Sequence, residues 1–189
     1  PALMDNVGLL PQKRPVESQQ YSQQIKGAIA VGASNKVKMM RVSNLSAIIS
    51  EIKSHHPSAV FFLLGHGDRE NKYADSLISS DNALKPSFCL NQVSALSPAE
   101  VVSTISDCDV LIGFDSALYN LAFTLRKPTI CLAYGDQSVL HSAPWLRVVM
   151  GSGVIWGKPD GFGCIHTNSI QTDNVVLSLA ALLNEAEKT

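Results

Sequence analysis

No run of apolar residues in this sequence approaches the length needed to cross a bilayer, and its first residues lack the basic-then-apolar layout of a signal peptide. The chain as given is expected to be soluble. Basic clusters are missing too: charged residues make up 16% of the chain and the formal net charge is -1, which argues against a nucleic-acid footprint or a polybasic membrane patch. Cys89, Cys108, Cys131 and Cys164 stand far apart with no C-x-x-C pair, and the five histidines show no H-E-x-x-H or comparable spacing. Metal sites in small domains draw on close ligand pairs, so no metal is expected, and the thiols read as reduced and mostly buried in a cytosolic protein. Walker A is absent. A G-x-G does occur at Gly65-His66-Gly67, but Glu70 stands where the third glycine of a dinucleotide fingerprint belongs, and NAD binding is not expected.

What remains is a chain of 189 residues, 46% apolar, long enough for one good core and too short for two large domains. Its organising stretch runs from Asp107 to Tyr134. An unbroken apolar run, Val110 to Phe114, ends at Asp115-Ser116; a helical pattern of Leu118, Leu121, Ala122 and Leu125 leads to Lys127-Pro128 and a second apolar run, Thr129 to Tyr134. Continuous apolar runs joined by a crossover helix are the mark of parallel strands buried on both faces. Ligands bind beyond the carboxyl ends of such strands, and Asp115 and Ser116 sit at one of them, where a helix start favours an anion. Asp115 also reads as an ordinary N-cap.

The rest of the chain repeats the alternation. Residues 1–24 carry Pro11, Pro15 and a polar run without a sustained period, and read as a linker or extended arm cut from a longer chain. Strands are predicted at Gly27 to Val31, Ala59 to Leu64 and, more weakly, Phe88 to Leu90, with short ones at Val148 to Met150 and Val154 to Trp156 around a glycine turn. Ser43 is the expected N-cap of a helix carrying Leu45, Ile48, Ile49 and Ile52 and ending near His55-His56, before Pro57. A second helix presents Tyr73, Ala74, Leu77 and Ile78. Ser97-Pro98-Ala99-Glu100 is a capping box with proline at the first helical position, opening a helix with Val101, Val102 and Ile105. A final helix starts near Thr172. This order predicts one α/β domain, residues 25–189, with a Rossmann-like parallel sheet and helices on both faces.

Three loops then share the rim at the strands' carboxyl ends: Gly32 to Arg41, Gly65 to Glu70 and Asp115 to Asn120, with Gly135 to Ser138 as a fourth. Lys36, Lys38 and Arg41 in the first are either a solvated loop or phosphate contacts. Asp68 and Glu70 in the second complement a helix start or take part in a site. Tyr119 and Asn120 read as packing and helix-face residues, and Trp145 and Trp156 as core or edge anchors.

In order and content these loops resemble the C-terminal, nucleotide-sugar-binding half of the ADP-heptose:lipopolysaccharide heptosyltransferases, glycosyltransferase family 9, which have the two-domain GT-B fold. The resemblance covers about Gly27 to the C-terminus. The family motif D-[ST]-G-x-x-H-x-A, then G-K-P, a strand and F-G-P-T stands here as D-S-A-L-Y-N-L-A, then R-K-P and A-Y-G-D-Q. By that resemblance Asp115, Ser116, Ala117 and Leu118 match the loop against the donor's diphosphate, Lys38 matches a lysine that approaches the donor phosphates, and Glu70 lies in the region of an acidic residue that holds the ribose. Gly163-Cys164-Ile165 and the last helix resemble the family's C-terminal segment. The family's glycine is Ala117 here, its histidine Asn120, its W-P Met40-Arg41, and its P-T Asp136-Gln137.

The resemblance implies the donor-binding domain of a glycosyltransferase acting in lipopolysaccharide or cell-surface glycan synthesis. It takes a nucleotide-sugar donor as substrate, ADP-heptose in the named family, rather than a cofactor, and a glycan or lipid-linked acceptor. In that family the general base comes from an N-terminal domain, so no catalytic base is assigned to this chain, and alone it is expected to be inactive. Asp115 is expected to cap the helix or orient the loop, because it would repel a phosphate. Other expected partners are the N-terminal domain and, in its absence, a second copy docked on the exposed rim; the expected location is the cytoplasm, peripheral to the inner face of the membrane. The alternative is a nucleotide-binding or interaction domain of the same fold that has lost transfer activity.

Overall fold

Strands at Lys26–Ala30 (β1), Val60–Leu64 (β2), Cys89–Asn91 (β3), Val110–Phe114 (β4), Thr129–Ala133 (β5) and Leu146–Met150 (β6) form one sheet in the order β3-β2-β1-β4-β5-β6. Every neighbouring pair is parallel. The structure, a computed structural model, describes residues 24–80, 87–133, 142–151 and 165–186. Four strands fall where the apolar runs predict them, within a residue at each described end. All five residues of β4 and of β5 are buried, which is why those runs show no alternation. The expected strand at Phe88 to Leu90 appears one residue later, and the one at Val148 to Met150 begins at Leu146. The expected strand at Val154 to Trp156, the fourth rim loop, Tyr134, Cys164 and the arm to residue 23 lie outside the described residues.

Helices Val42–His55 (α1), Asp68–Ser80 (α2) and Thr172–Ala186 (α6) cover one face, joined by a short Ile165–Asn168 (α5); Pro98–Asp107 (α3) and Ala117–Thr124 (α4) cover the other. The two layers differ in depth. Leu45, Ser46, Ile48, Ile49 and Ile52 of α1 are buried, whereas α3 buries Ile105 alone and α4 buries Tyr119 and Ala122. An apolar flank of α3 and α4 is therefore left open towards the rim.

The chain leaves β1 outward through β2 and β3, then returns to lay β4 against the other side of β1. Loops after β1 and β4 diverge at this reversal, which opens a crevice at the carboxyl ends of the strands.

Local chemistry accounts for the boundaries. The capping box forms as expected: Glu100 N–H donates to Ser97 Oγ and Ser97 N–H donates to the Glu100 carboxylate at 2.8 Å. Those Ser97 hydrogen bonds hold the Glu100 carboxyl below its usual range. Ser43, however, does not cap α1. That helix begins two residues earlier, with Arg41 at the N-cap and no side-chain cap of its own; Arg41 N–H instead donates to Asn168 Oδ1 at 2.8 Å. The buried Met39 and Met40 draw the chain inward just before α1, and Tyr73 Oη donates to Met40 O at 2.8 Å. Trp145 does pack as an edge anchor, tilted on Phe123 with ring centroids 5.8 Å apart and with Arg126 over its ring.

α1 ends as expected at His55, with His56 as its C-cap, 3% exposed. Burial, and then the neighbouring His55, lower the pKa of His56 below its ordinary 6.5. The folded protein thus resists a proton that the unfolded chain accepts. Stability contributed by neutral His56 is fully present above the unfolded value and is lost as pH falls below about 6.5 towards the folded value. The melting temperature should decline from pH 7.5 to 5.5, and His56→Gln should flatten that decline; an equal decline in both proteins would contradict this role.

Candidate functional site

The crevice at the β1/β4 reversal is a cavity of about 1020 Å³ that draws together the three loops read from the sequence. All of Lys38, Glu70, Asp115, Ser116, Ala117 and Leu118 line it. Lys36, Arg41 and Asp68 do not.

Lys38 ends a single 3-10 turn, Lys36–Lys38, that Asn35 caps by accepting the Val37 N–H at 3.0 Å. Its ammonium reaches across the reversal and donates to Asp115 Oδ2 at 2.5 Å. Each side chain is 31% exposed, so water screens the pair and its net stabilisation is modest, below about 1 kcal/mol. Its importance is positional: it fixes where Lys38 points. Asp115 was expected to cap α4 or orient the loop. The cap is Ser116, whose Oγ accepts the Tyr119 N–H, and Asp115 holds Lys38 instead. With Ser116 engaged as the cap, the Ala117 and Leu118 N–H groups at the start of α4 have no helical partner, and both residues line the cavity with Lys38.

Glu70 is buried, its side chain 10% exposed, and its Oε1 accepts from Arg69 Nη2 at 2.5 Å and Nε at 3.1 Å. Arg69 also donates to Ala33 O at 2.5 Å, tying the second loop to the first. The glycines of both loops make room for this carboxylate. A Cβ on Gly32 would lie 2.6 Å from Glu70 Cγ, one on Gly65 would lie 3.2 Å from Glu70 Cβ, and Gly67 adopts φ +104°, a conformation that L side chains rarely take. Gly65-His66-Gly67 is thus a cradle for Glu70, the residue that breaks the dinucleotide fingerprint. Ser94, itself at φ 58°, staples the cradle from outside: its N–H donates to Gly65 O and its Oγ accepts from Gly67 N–H at 2.8 Å.

Sequence reasoning missed the other wall. Leu96, Pro98, Val101 and Val102 of the third helix and its approach, with Leu121 of α4, line the cavity as an apolar surface. The helical pattern included Val101, Val102 and Leu121, but spacing does not tell which part of a face stays uncovered. Asn120 was read as a helix-face residue; it is exposed, lines the cavity and donates to Ser116 O at 3.0 Å. Tyr119 is buried packing, as expected.

The described thiols are not reactive groups. Cys89, Cys108 and Cys131 are buried, and burial pushes the first two up to about 11 and Cys131 to about 12. Among the described residues no three His, Cys, Asp or Glu side chains gather to hold a metal, and no helix is long and apolar enough to cross a membrane.

This arrangement has a likeness among known structures. The structure of E. coli ADP-heptose LPS heptosyltransferase II superposes with a TM-score of 0.70 at 18% identity, covering 88% of this chain and 48% of that one. A glycosyl transferase of family 9 from Veillonella parvula matches with a TM-score of 0.64 at 12% identity, over 87% and 47% of the two chains. E. coli heptosyltransferase WaaC with ADP matches with a TM-score of 0.63 at 13% identity, over 83% and 44%. At these identities the likeness establishes the fold, and the chain spans about half the length of these solved relatives. No curated protein sequence matches closely enough to count as a relative. The sequence profile of the family described as glycosyltransferase family 9 (heptosyltransferase) matches residues 6–161, most of the chain, and the chain belongs to that family.

Proposed function

We propose that residues 25–189 are the donor-binding domain of a heptosyltransferase-like glycosyltransferase acting in lipopolysaccharide or cell-surface glycan synthesis, and that its ligand is a nucleotide sugar. The observation that carries this reading is the chemistry gathered around one cavity. Lys38 and the first residues of α4 line it, and an ammonium and helix-start N–H groups suit a diphosphate. Glu70 lines it too, its carboxylate held by Arg69 and able to accept hydrogen bonds from the ribose hydroxyls. Beside them the wall of Leu96, Pro98, Val101 and Val102 offers an apolar surface for the base. The nucleotide bound in the WaaC structure, ADP, has these three chemical parts.

In transfer, negative charge develops on the departing diphosphate. Lys38 and the Ala117 and Leu118 N–H groups are fixed before the reaction and stabilise that charge without reorganising. The acceptor hydroxyl needs a base, which we assign to the half of the enzyme represented in the relatives and not in this chain. That half, a glycan or lipid-linked acceptor, and a second copy on the open rim are the partners of this reading, in the cytoplasm against the inner membrane face. A second reading, binding without transfer, is favoured by Asn120, which puts a neutral amide tied to Ser116 O in the cavity.

The ribose assignment is tested by comparing ADP with its 2′,3′-dideoxy analogue in calorimetry. Wild type should prefer ADP by about tenfold, the scale of one or two hydrogen bonds to a charged acceptor, and Glu70→Gln should shrink that preference. Equal binding of both ligands by wild type would contradict it.

A further inference from the structure

Among the described residues, the Lys and Arg side chains lining the cavity come already paired. Lys38 is held by Asp115 and Arg69 by Glu70, so the fixed side-chain charges of these four lining residues sum to zero. A site built for maximum attraction to phosphate would leave its lysine unpaired. Here Asp115 crosses from the β4 loop to neutralise the Lys38 ammonium, and it lines the cavity where a diphosphate would lie.

We infer that Asp115 is a specificity-determining residue that sets the charge the site accepts: it favours the less charged nucleotide sugar over the more charged free nucleotide. This rests on the reading of the cavity as a nucleotide-sugar site. A diphosphate esterified at both ends carries two negative charges. Free nucleoside diphosphate carries about three near pH 7.5, because its terminal phosphate loses a second proton with a pKa of about 6. In transfer to a hydroxyl-bearing acceptor, the bond between the anomeric carbon and the terminal phosphate oxygen breaks with its electron pair left on that oxygen. The acceptor oxygen bonds to the anomeric carbon and its proton passes to a base. The product left in the cavity has therefore gained charge beside a carboxylate that does not move away. Lys38 is shared between the two anions, and the imbalance speeds product departure while the incoming donor, with less charge, is tolerated. Partial exposure of the pair moderates this effect by screening, so it should also weaken with salt.

The test is a calorimetric ladder of AMP, ADP, ATP and ADP-glucose on the chain and on Asp115→Asn. Wild type should bind ADP-glucose more tightly than ADP and ADP more tightly than ATP. Asp115→Asn should gain about tenfold for ADP, a one-charge effect at a partly screened site, gain less for ADP-glucose, and so invert their order. Asp115→Ser, which removes the same charge with a different side chain, should behave alike and guards against a folding defect peculiar to one variant. Wild-type affinity that climbs with each added phosphate, or a ratio of ADP-glucose to ADP unchanged in both variants, overturns the inference. If wild type binds none of the four ligands, the nucleotide-sugar reading fails by itself. Pyrophosphate then decides the charge argument: a gain of about tenfold in Asp115→Asn over wild type supports it, and equal binding overturns it.

Discussion

Lys38→Ala is expected to weaken ADP binding by about a hundredfold, the upper end of what a single lost phosphate contact explains. A charge-assisted hydrogen bond contributes roughly 1.5–3 kcal/mol, which is about ten- to a hundredfold. Asp115 places the loss at that upper end. In the native site its carboxylate is matched by the Lys38 ammonium at 2.5 Å; once the lysine is gone, that carboxylate faces the ligand's phosphates uncompensated. The two residues should therefore couple. Lys38→Ala/Asp115→Ala is expected to recover part of the loss, so the double variant binds ADP more tightly than Lys38→Ala alone. Adenosine, which has no phosphate, should bind all three proteins alike. Additive effects in this cycle would mean that the pair seen across the β1/β4 reversal has no part in binding.

Gly113→Ala is expected to cost about 3 kcal/mol of stability, at the upper end of what one added methyl does in a packed interior, and to lower the melting temperature by roughly 10 °C. Gly113 pairs with Ala30 across the central strands. A Cβ there would lie 2.5 Å from Ala30 Cβ, 3.1 Å from Ala30 O and 3.3 Å from Ala30 Cα. None of these atoms can rotate away, so β1 and β4 must part at their carboxyl ends. Gly27→Ala is the control. Its Cβ would meet the Phe61 ring at 2.6 Å, a side chain that can turn, and the cost should be about 1 kcal/mol. Because Asp115 follows Gly113 by two residues, the strand separation should also pull Asp115 off Lys38, weakening ADP binding in whatever Gly113→Ala protein remains folded. Equal melting temperatures for the two variants would refute the packing argument.

The centre of the sheet was legible because its strands are buried on both faces: Val110–Phe114 and Thr129–Ala133 are unbroken apolar runs. Ser97 and Glu100 announced α3 through a hydrogen-bond pattern that is local by nature. The N-terminus of α1 was not legible, because its start is set by Asn168, 127 residues away, and by the burial of Met40. The rim was legible as three loops, since parallel connectivity places every strand's carboxyl end on one side. What those loops do to one another was not. The Lys38–Asp115 pair spans 77 residues and exists only because β4 returns beside β1. Glu70 read either as a helix-start acid or as part of a site, and its setting was not legible: the glycines at 32, 65 and 67 make space for its carboxylate between two loops. Val101 and Val102 read only as residues of the helix that the capping box opens; their exposure to the cavity follows from how little of α3 the sheet covers.

The central claim is that one cavity, at the point where the strand order reverses, takes a nucleoside diphosphate with its phosphates at Lys38 and the start of α4. Backbone amide shifts of the whole chain titrated with ADP, UDP and GDP test it most directly. Saturable shifts are expected in Gly32 to Lys38, Gly65 to Glu70, Asp115 to Leu118 and the Leu96 to Val102 wall, with the shifts nearest the phosphates lost in Lys38→Ala. Shifts absent from all four segments, or unchanged by Lys38→Ala, would contradict it.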